Sequence, residues 1–161
     1  MYNVLQPKYK TEIIPVPQTS KNIAKQIQRA IKESKPAAKI LHVHFKGKSD
    51  YITCFNVYNY CRNKIKYVRE TDNLQSAKTV QRILSDRFGD CKHYTILCCS
   101  LLDAAGIPVK LRLISQNYYN ADPTHIYAVA NINGQEVIID PCMKSFNNEA
   151  QYKYKYNLKL I

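Results

Sequence analysis

Apolar residues recur at Ile23, Ile27, Ala30 and Ile31, the single stripe of an amphipathic helix. Thr19-Ser20 supplies its cap, and the helix is predicted to run to about Lys35, where Pro36 stops it. The short segment Ile40–Phe45 fits a strand or a packed connection equally well. A second helix is predicted from Ser49-Asp50 to about Val68, with Ile52, Phe55, Val57, Tyr58, Cys61, Ile65 and Val68 on a broad apolar face. After a loop over Glu70–Gln75, Ser76 caps a short helix that turns Ala77, Val80 and Leu84 inward. Gly89 breaks that pattern. A further helix spans about Asp90 to Ala105 and closes at Gly106, a left-handed stop followed by Ile107-Pro108.

Beyond Gly106 the period falls from helical to two. Val109, Leu111 and Leu113 alternate with Lys110 and Arg112, giving a strand with one wet face. Ile126–Ala130 and Glu136–Ile139 form two more strands, joined across Asn133-Gly134, a tight-hairpin signal. Tyr152–Tyr156 also alternates and adds an edge strand with lysines outward. Helices first and an antiparallel sheet second make an α+β domain over residues 19–161. The first eighteen residues carry Pro7, Pro15 and Pro17 without periodicity and read as an extended arm.

The 161 residues suffice for one domain with a packed core. No apolar run approaches the length of a membrane span or a signal peptide, so the sequence predicts no membrane partner and a cytoplasmic location. The formal net charge of +12 is high, but its cations are scattered and compatible with an ordinary solvated surface. Thirteen tyrosines interleave with lysines without forming a nucleic-acid-binding motif, so a nucleic-acid partner rests on charge alone.

Six cysteines in such a chain do not imply three disulfides. Cys98-Cys99 lies in an apolar run, and Cys54 and Cys61 share a helix face, so these four read as core. Cys91 differs because it opens a helix straight after Gly89-Asp90. The unpaired N–H groups and partial positive charge of a helix start favour a thiolate there. His125 begins one strand of the hairpin and Asp140 ends the other, so the two are brought side by side. Cysteine, histidine and carboxylate in that setting are the parts of a nucleophile, its base and the group orienting the base.

The stretches Arg87–Leu97 and Ala104–Leu111 resemble the core of the transglutaminase-like superfamily, and Ile65–Glu70 resembles its usual lead-in. Thr124–Val129 and Ile138–Pro141 are similar to its histidine and aspartate motifs, so the resemblance covers about Tyr51 to Met143. It implies a papain-like fold with Cys91, His125 and Asp140 as the catalytic triad, acting on a peptide or amide substrate without a cofactor or metal. Within that resemblance the Cys91 backbone N–H is the natural oxyanion donor and the Gln75 side chain a second candidate. Members include cross-linking acyltransferases, peptidases, amidases and forms without activity, so the fold leaves the reaction open. Bacterial relatives often carry acidic residues after the cysteine, where this chain has Lys92 and His93. A cation there further favours thiolate and alters which substrate approaches.

Two other readings compete. His42 and His44 are zinc-ligand types two residues apart, but no Cys-x-x-Cys or His-Glu-x-x-His accompanies them. Cys142 lies close to Asp140 in sequence and reads as a packed cysteine or a resolving thiol. Similar small proteins are encoded by bacteriophages. The alternative to an enzyme is therefore a virion or assembly protein that keeps the fold and acts through protein or nucleic-acid contacts.

Overall fold

A computed structural model describes residues 10–14, 19–71, 75–116 and 123–161. Pro7, Pro15 and Pro17 of the expected arm lie outside them, as does part of the loop before Gln75. Within the arm, β1 (Thr11–Ile14) pairs antiparallel with β3 (Gln75–Lys78).

The first helix, α1 (Ser20–Leu41), is capped by the Thr19 side chain, which accepts from the Asn22 N–H. It runs through Pro36, against expectation. Proline removes the bond to the Lys32 carbonyl, but Pro36 and Lys32 are both exposed, so water can take that place. Packing of Ile27, Ile31, Ser34 and Ala38 holds the helix together across the break. Residues His42–Phe45 form a 3₁₀ turn, the packed connection rather than a strand.

The second helix, α2 (Asp50–Lys64), is capped by Ser49 and stops four residues before the expected Val68. Ile65 turns extended, and β2 (Lys66–Tyr67) pairs in parallel with β4 (Phe88–Gly89). Their bonds, Lys66 N–H to the Arg87 carbonyl (2.8 Å) and Val68 N–H to the Gly89 carbonyl (2.8 Å), outcompete another helical turn. Ser76 is likewise not a helix cap. It lies in β3, and α3 (Val80–Asp86) starts after Thr79 instead.

At the centre is α4 (Cys91–Ala104), buried continuously from Lys92 to Leu102. It packs on α1, on α2 and on one face of an antiparallel sheet. The sheet comprises β5 (Val109–Ser115), β6 (His125–Ile132), β7 (Gln135–Ile139) and β8 (Tyr154–Lys159), in the order β7-β6-β5-β8. Asn133 (φ 52°) and Gly134 (φ 84°) are both left-handed, as the tight β6–β7 turn requires. The C-terminal segment does form an edge strand, with Lys159 exposed but Lys155 half-buried beside the Tyr152 ring.

Gly89 is required by close approach. A Cβ there would lie 2.5 Å from the His93 Cβ. Gly89→Ala is expected to destabilise the fold by about 1–3 kcal/mol, the usual cost of overpacking. An unchanged denaturation midpoint would show that His93 can move away.

Candidate active site

The strand β4 delivers the chain into Asp90, whose buried carboxylate caps α4 by accepting the Lys92 N–H (3.0 Å). The Asp90 N–H in turn donates to His93 Nδ1 (3.1 Å), closing a capping box with histidine in the usual glutamate place. Lys92 is only 5% exposed, and its ammonium pairs with Asp90 and with Glu70 Oε2 (3.3 Å). Glu70 also accepts the Ser76 N–H (2.7 Å) and the Ser76 hydroxyl, and Ser76 Oγ lies 3.3 Å from His93 Nε2. Burial alone would raise the Asp90 pKa, but His93 and the Lys92 ammonium hold it well below the usual carboxylate range. The Lys92 ammonium thus braces the helix start while lining the cleft that holds Cys91 and His125.

Cys91 stands on this braced turn, half-buried. His125 Nε2 is 2.7 Å from Asp140 Oδ2, and the same ring lies close enough to Cys91 for the two side chains to interact. With Nε2 engaged by the carboxylate, Nδ1 is the ring nitrogen left for the sulfur. Burial works against the imidazolium, but the bond to Asp140 and the interaction with Cys91 outweigh it and raise the His125 pKa to about 10. Cys91 and His125 line one cleft of about 570 Å³.

Backbone and side-chain bonds set this geometry. The Thr95 hydroxyl, one turn into α4, lies within hydrogen-bond distance of the Cys91 carbonyl (2.7 Å) and the Ile126 carbonyl (3.1 Å), so it ties the cysteine turn to the histidine strand. Asp140 Oδ1 accepts the Cys142 N–H (3.0 Å), leaving Oδ2 for His125. The turn after Asp140 is clamped from α2, where Arg62 donates to the Pro141 carbonyl (2.9 Å) and Tyr58 to the Met143 carbonyl (2.8 Å).

Gln75 lines the same cleft as Cys91, but its amide donates to the Thr71 carbonyl (3.0 Å). Cys142 lies beside Asp140, and its sulfur is within 4.8 Å of the ligand atoms of His125 and Asp140. Burial, reinforced by the Asp140 charge, pushes its thiol pKa strongly up. His42 and His44 join no cluster of three metal-ligand side chains among the described residues, and His42 Nδ1 instead lies 3.3 Å from the Ala38 carbonyl. Cys54, Cys61, Cys98 and Cys99 are buried, and all six cysteines are free.

Sequence reasoning missed the bracing set of Glu70, Ser76, Asp90, Lys92 and His93. Its one local signal was Asp-x-x-His at the helix start. It also missed Tyr67, whose ring packs edge-on against Tyr94 (5.7 Å) on the rim of the same cleft.

No curated protein matches the chain. Among solved structures, a protease candidate from Parabacteroides distasonis superposes with a TM-score of 0.61 at 14% identity, covering 80% of this chain and 27% of that one. A cysteine-protease candidate from Cytophaga hutchinsonii gives 0.47 at 17% identity, over 78% of this chain and 39% of its own. A TGase gives 0.49 at 13% identity, over 86% and 37% respectively. The chain therefore spans well under half the length of each, and at these identities the first likeness speaks to the fold. No helix among the described residues is long and apolar enough to cross a membrane. The family profile described as "Transglutaminase-like superfamily" matches residues 42–149, which take in α2, the Gly89-Asp90-Cys91 turn and the β6–β7 hairpin. With two-thirds of its length matched and the helices-then-sheet order in place, the chain belongs to the transglutaminase-like superfamily.

Proposed function

We propose that this protein carries out acyl chemistry on an amide or peptide carbonyl through a thioester on Cys91. The observation that carries the reading is one His125 ring bonded to Asp140 at 2.7 Å and sharing a cleft with the Cys91 thiol at a helix start. A His125 pKa near 10 keeps the ring protonated at neutral pH, the form that pairs with a thiolate and can protonate a leaving amine.

The Cys91 thiolate adds to the carbonyl carbon, and the oxygen takes up the negative charge. The Cys91 backbone N–H, which has no hydrogen-bond acceptor among the described residues, would donate to that oxygen. Gln75 serves as a second donor only if its amide leaves Thr71. The carbon–nitrogen bond then breaks, and the amine departs with the proton from His125. Water or a second amine attacks the thioester, giving its proton to His125 as the thiolate leaves. Asp140 holds the ring tautomer throughout. The three likenesses above lend the bacteriophage and virion expectation no support.

A carbonyl-directed thiol probe, read by mass spectrometry at mildly acidic pH, tests this. Cys91 is expected to be modified first. Burial raises the Cys54 pKa to about 12 and lifts Cys61, Cys99 and Cys142 well above the ordinary thiol range. Peptide and glutamine-amide substrates, with and without an added amine, should then leave an acyl adduct on Cys91. First labelling at another cysteine, or no adduct from any of them, would sink the reading.

A further inference from the structure

A second cleft, of about 600 Å³, lies near the candidate site. Tyr67 lines both clefts. Cys142, whose sulfur sits within 4.8 Å of the His125 and Asp140 ligand atoms, lines the second. The two clefts therefore adjoin at Tyr67, and Cys142 brings the second near His125 and Asp140.

The second cleft is lined by four cations, Arg62, Lys64, Lys66 and Arg87, and by no carboxylate. Lys64, Lys66 and Arg87 are exposed, and none of the three pairs with a carboxylate among the described residues. The short parallel pair of β2 and β4 gathers them. It sets Lys66 opposite Phe88, one residue from Arg87 and just upstream of the Gly89-Asp90-Cys91 turn. The carboxylates nearest the thiol are already committed: Asp90 and Glu70 to Lys92, and Asp140 to His125. Among the described residues no carboxylate lines this wall to offset its positive charge, and concave, partly desolvated walls concentrate such a field.

The geometry points to a specificity subsite: the second cleft receives acidic side chains of the acyl-donor peptide, close to the carbonyl that Cys91 attacks. This rests on the acyl-chemistry reading above for the carbonyl, but not for the binding. An acidic peptide fits better than a nucleic acid because the cleft adjoins a thiol suited to carbonyls. It also offers no run of exposed aromatic rings for stacking bases.

Binding and chemistry can be separated. Full-length Cys91→Ala protein is titrated with labelled decapeptides that share a central glutamine and differ only in flanking Glu or Lys. The acidic peptide should bind about tenfold tighter at low salt, with the gap narrowing as ions screen the wall. Lys66→Glu with Arg87→Glu should erase the preference. Lys32→Glu with Lys39→Glu, on the exposed side of α1, imposes the same change in net charge and should retain it. The milder Lys66→Gln, which removes one charge, should lower it part-way and covers the case in which the double variant does not fold. Equal binding of the two peptides overturns the subsite. So does equal loss with the α1 variants, or tighter binding of a ten-residue oligothymidylate. If acidic preference persists but wild type forms no thioester, the chemistry fails and the subsite stands. If wild type forms adducts equally from both peptides, the subsite fails and the chemistry stands.

Discussion

Cys91→Ala is expected to remove turnover and covalent capture together, lowering the rate by about 10⁴-fold or more, as loss of a nucleophile does elsewhere. The fold should survive. The start of α4 is held by the Asp90–His93 capping box and the Lys92 ion pairs, none of which uses the Cys91 sulfur. Deleting one half-buried sulfur there should cost about 1 kcal/mol or less. Rate and melting curve are measured on the same preparation. Retained turnover in a folded Cys91→Ala protein would move the nucleophile elsewhere.

Asp140→Ala is expected to lower the rate by roughly 10³- to 10⁴-fold, because the ring loses the partner that fixes its tautomer and its charge. The pH profile distinguishes this from general damage. His125 is raised from an ordinary 6.5 to about 10. A raised histidine stabilises the fold fully below its unfolded pKa, and that contribution is lost as pH rises through the folded value. Wild-type stability from this group should therefore decline between about pH 6.5 and 10, and activity should fall on the alkaline side near 10. In Asp140→Ala both limbs should move toward neutrality. The variant also orphans the Cys142 N–H, costing about 1–3 kcal/mol. Asp140→Asn keeps an acceptor for that N–H and should be milder in stability and rate. An unshifted alkaline limb in Asp140→Ala would show that another group holds the ring.

The candidate site was legible because its parts are tied to local signals. Gly89-Asp90 before an apolar helix marks a turn into a helix start, and Asn133-Gly134 marks a tight hairpin. Once the hairpin is placed, His125 and Asp140 must lie at the same end of it. The misread elements share a different cause. Ser76 looked like a cap because capping is local, but β3 exists only through pairing with β1, more than sixty residues away. Val68 fits the helical stripe, yet its N–H bonds the Gly89 carbonyl. Pro36 breaks a bond without breaking the helix, since the freed carbonyl faces solvent and the opposite side is packed.

By itself the sequence determined the order of helices and sheet, the cysteine at a helix start and the hairpin carrying His125 and Asp140, but not the burial of Arg112 on the expected wet face of β5. These follow from spacing and turn chemistry within a few residues. Tertiary structure alone decided that Lys92 is buried between Asp90 and Glu70, that Thr95 bridges Cys91 to the histidine strand, and that four cations line a cleft together with Tyr67 and Cys142. Each joins side chains brought together by packing rather than spacing, and a charge's role depends on which other charges the fold sets next to it.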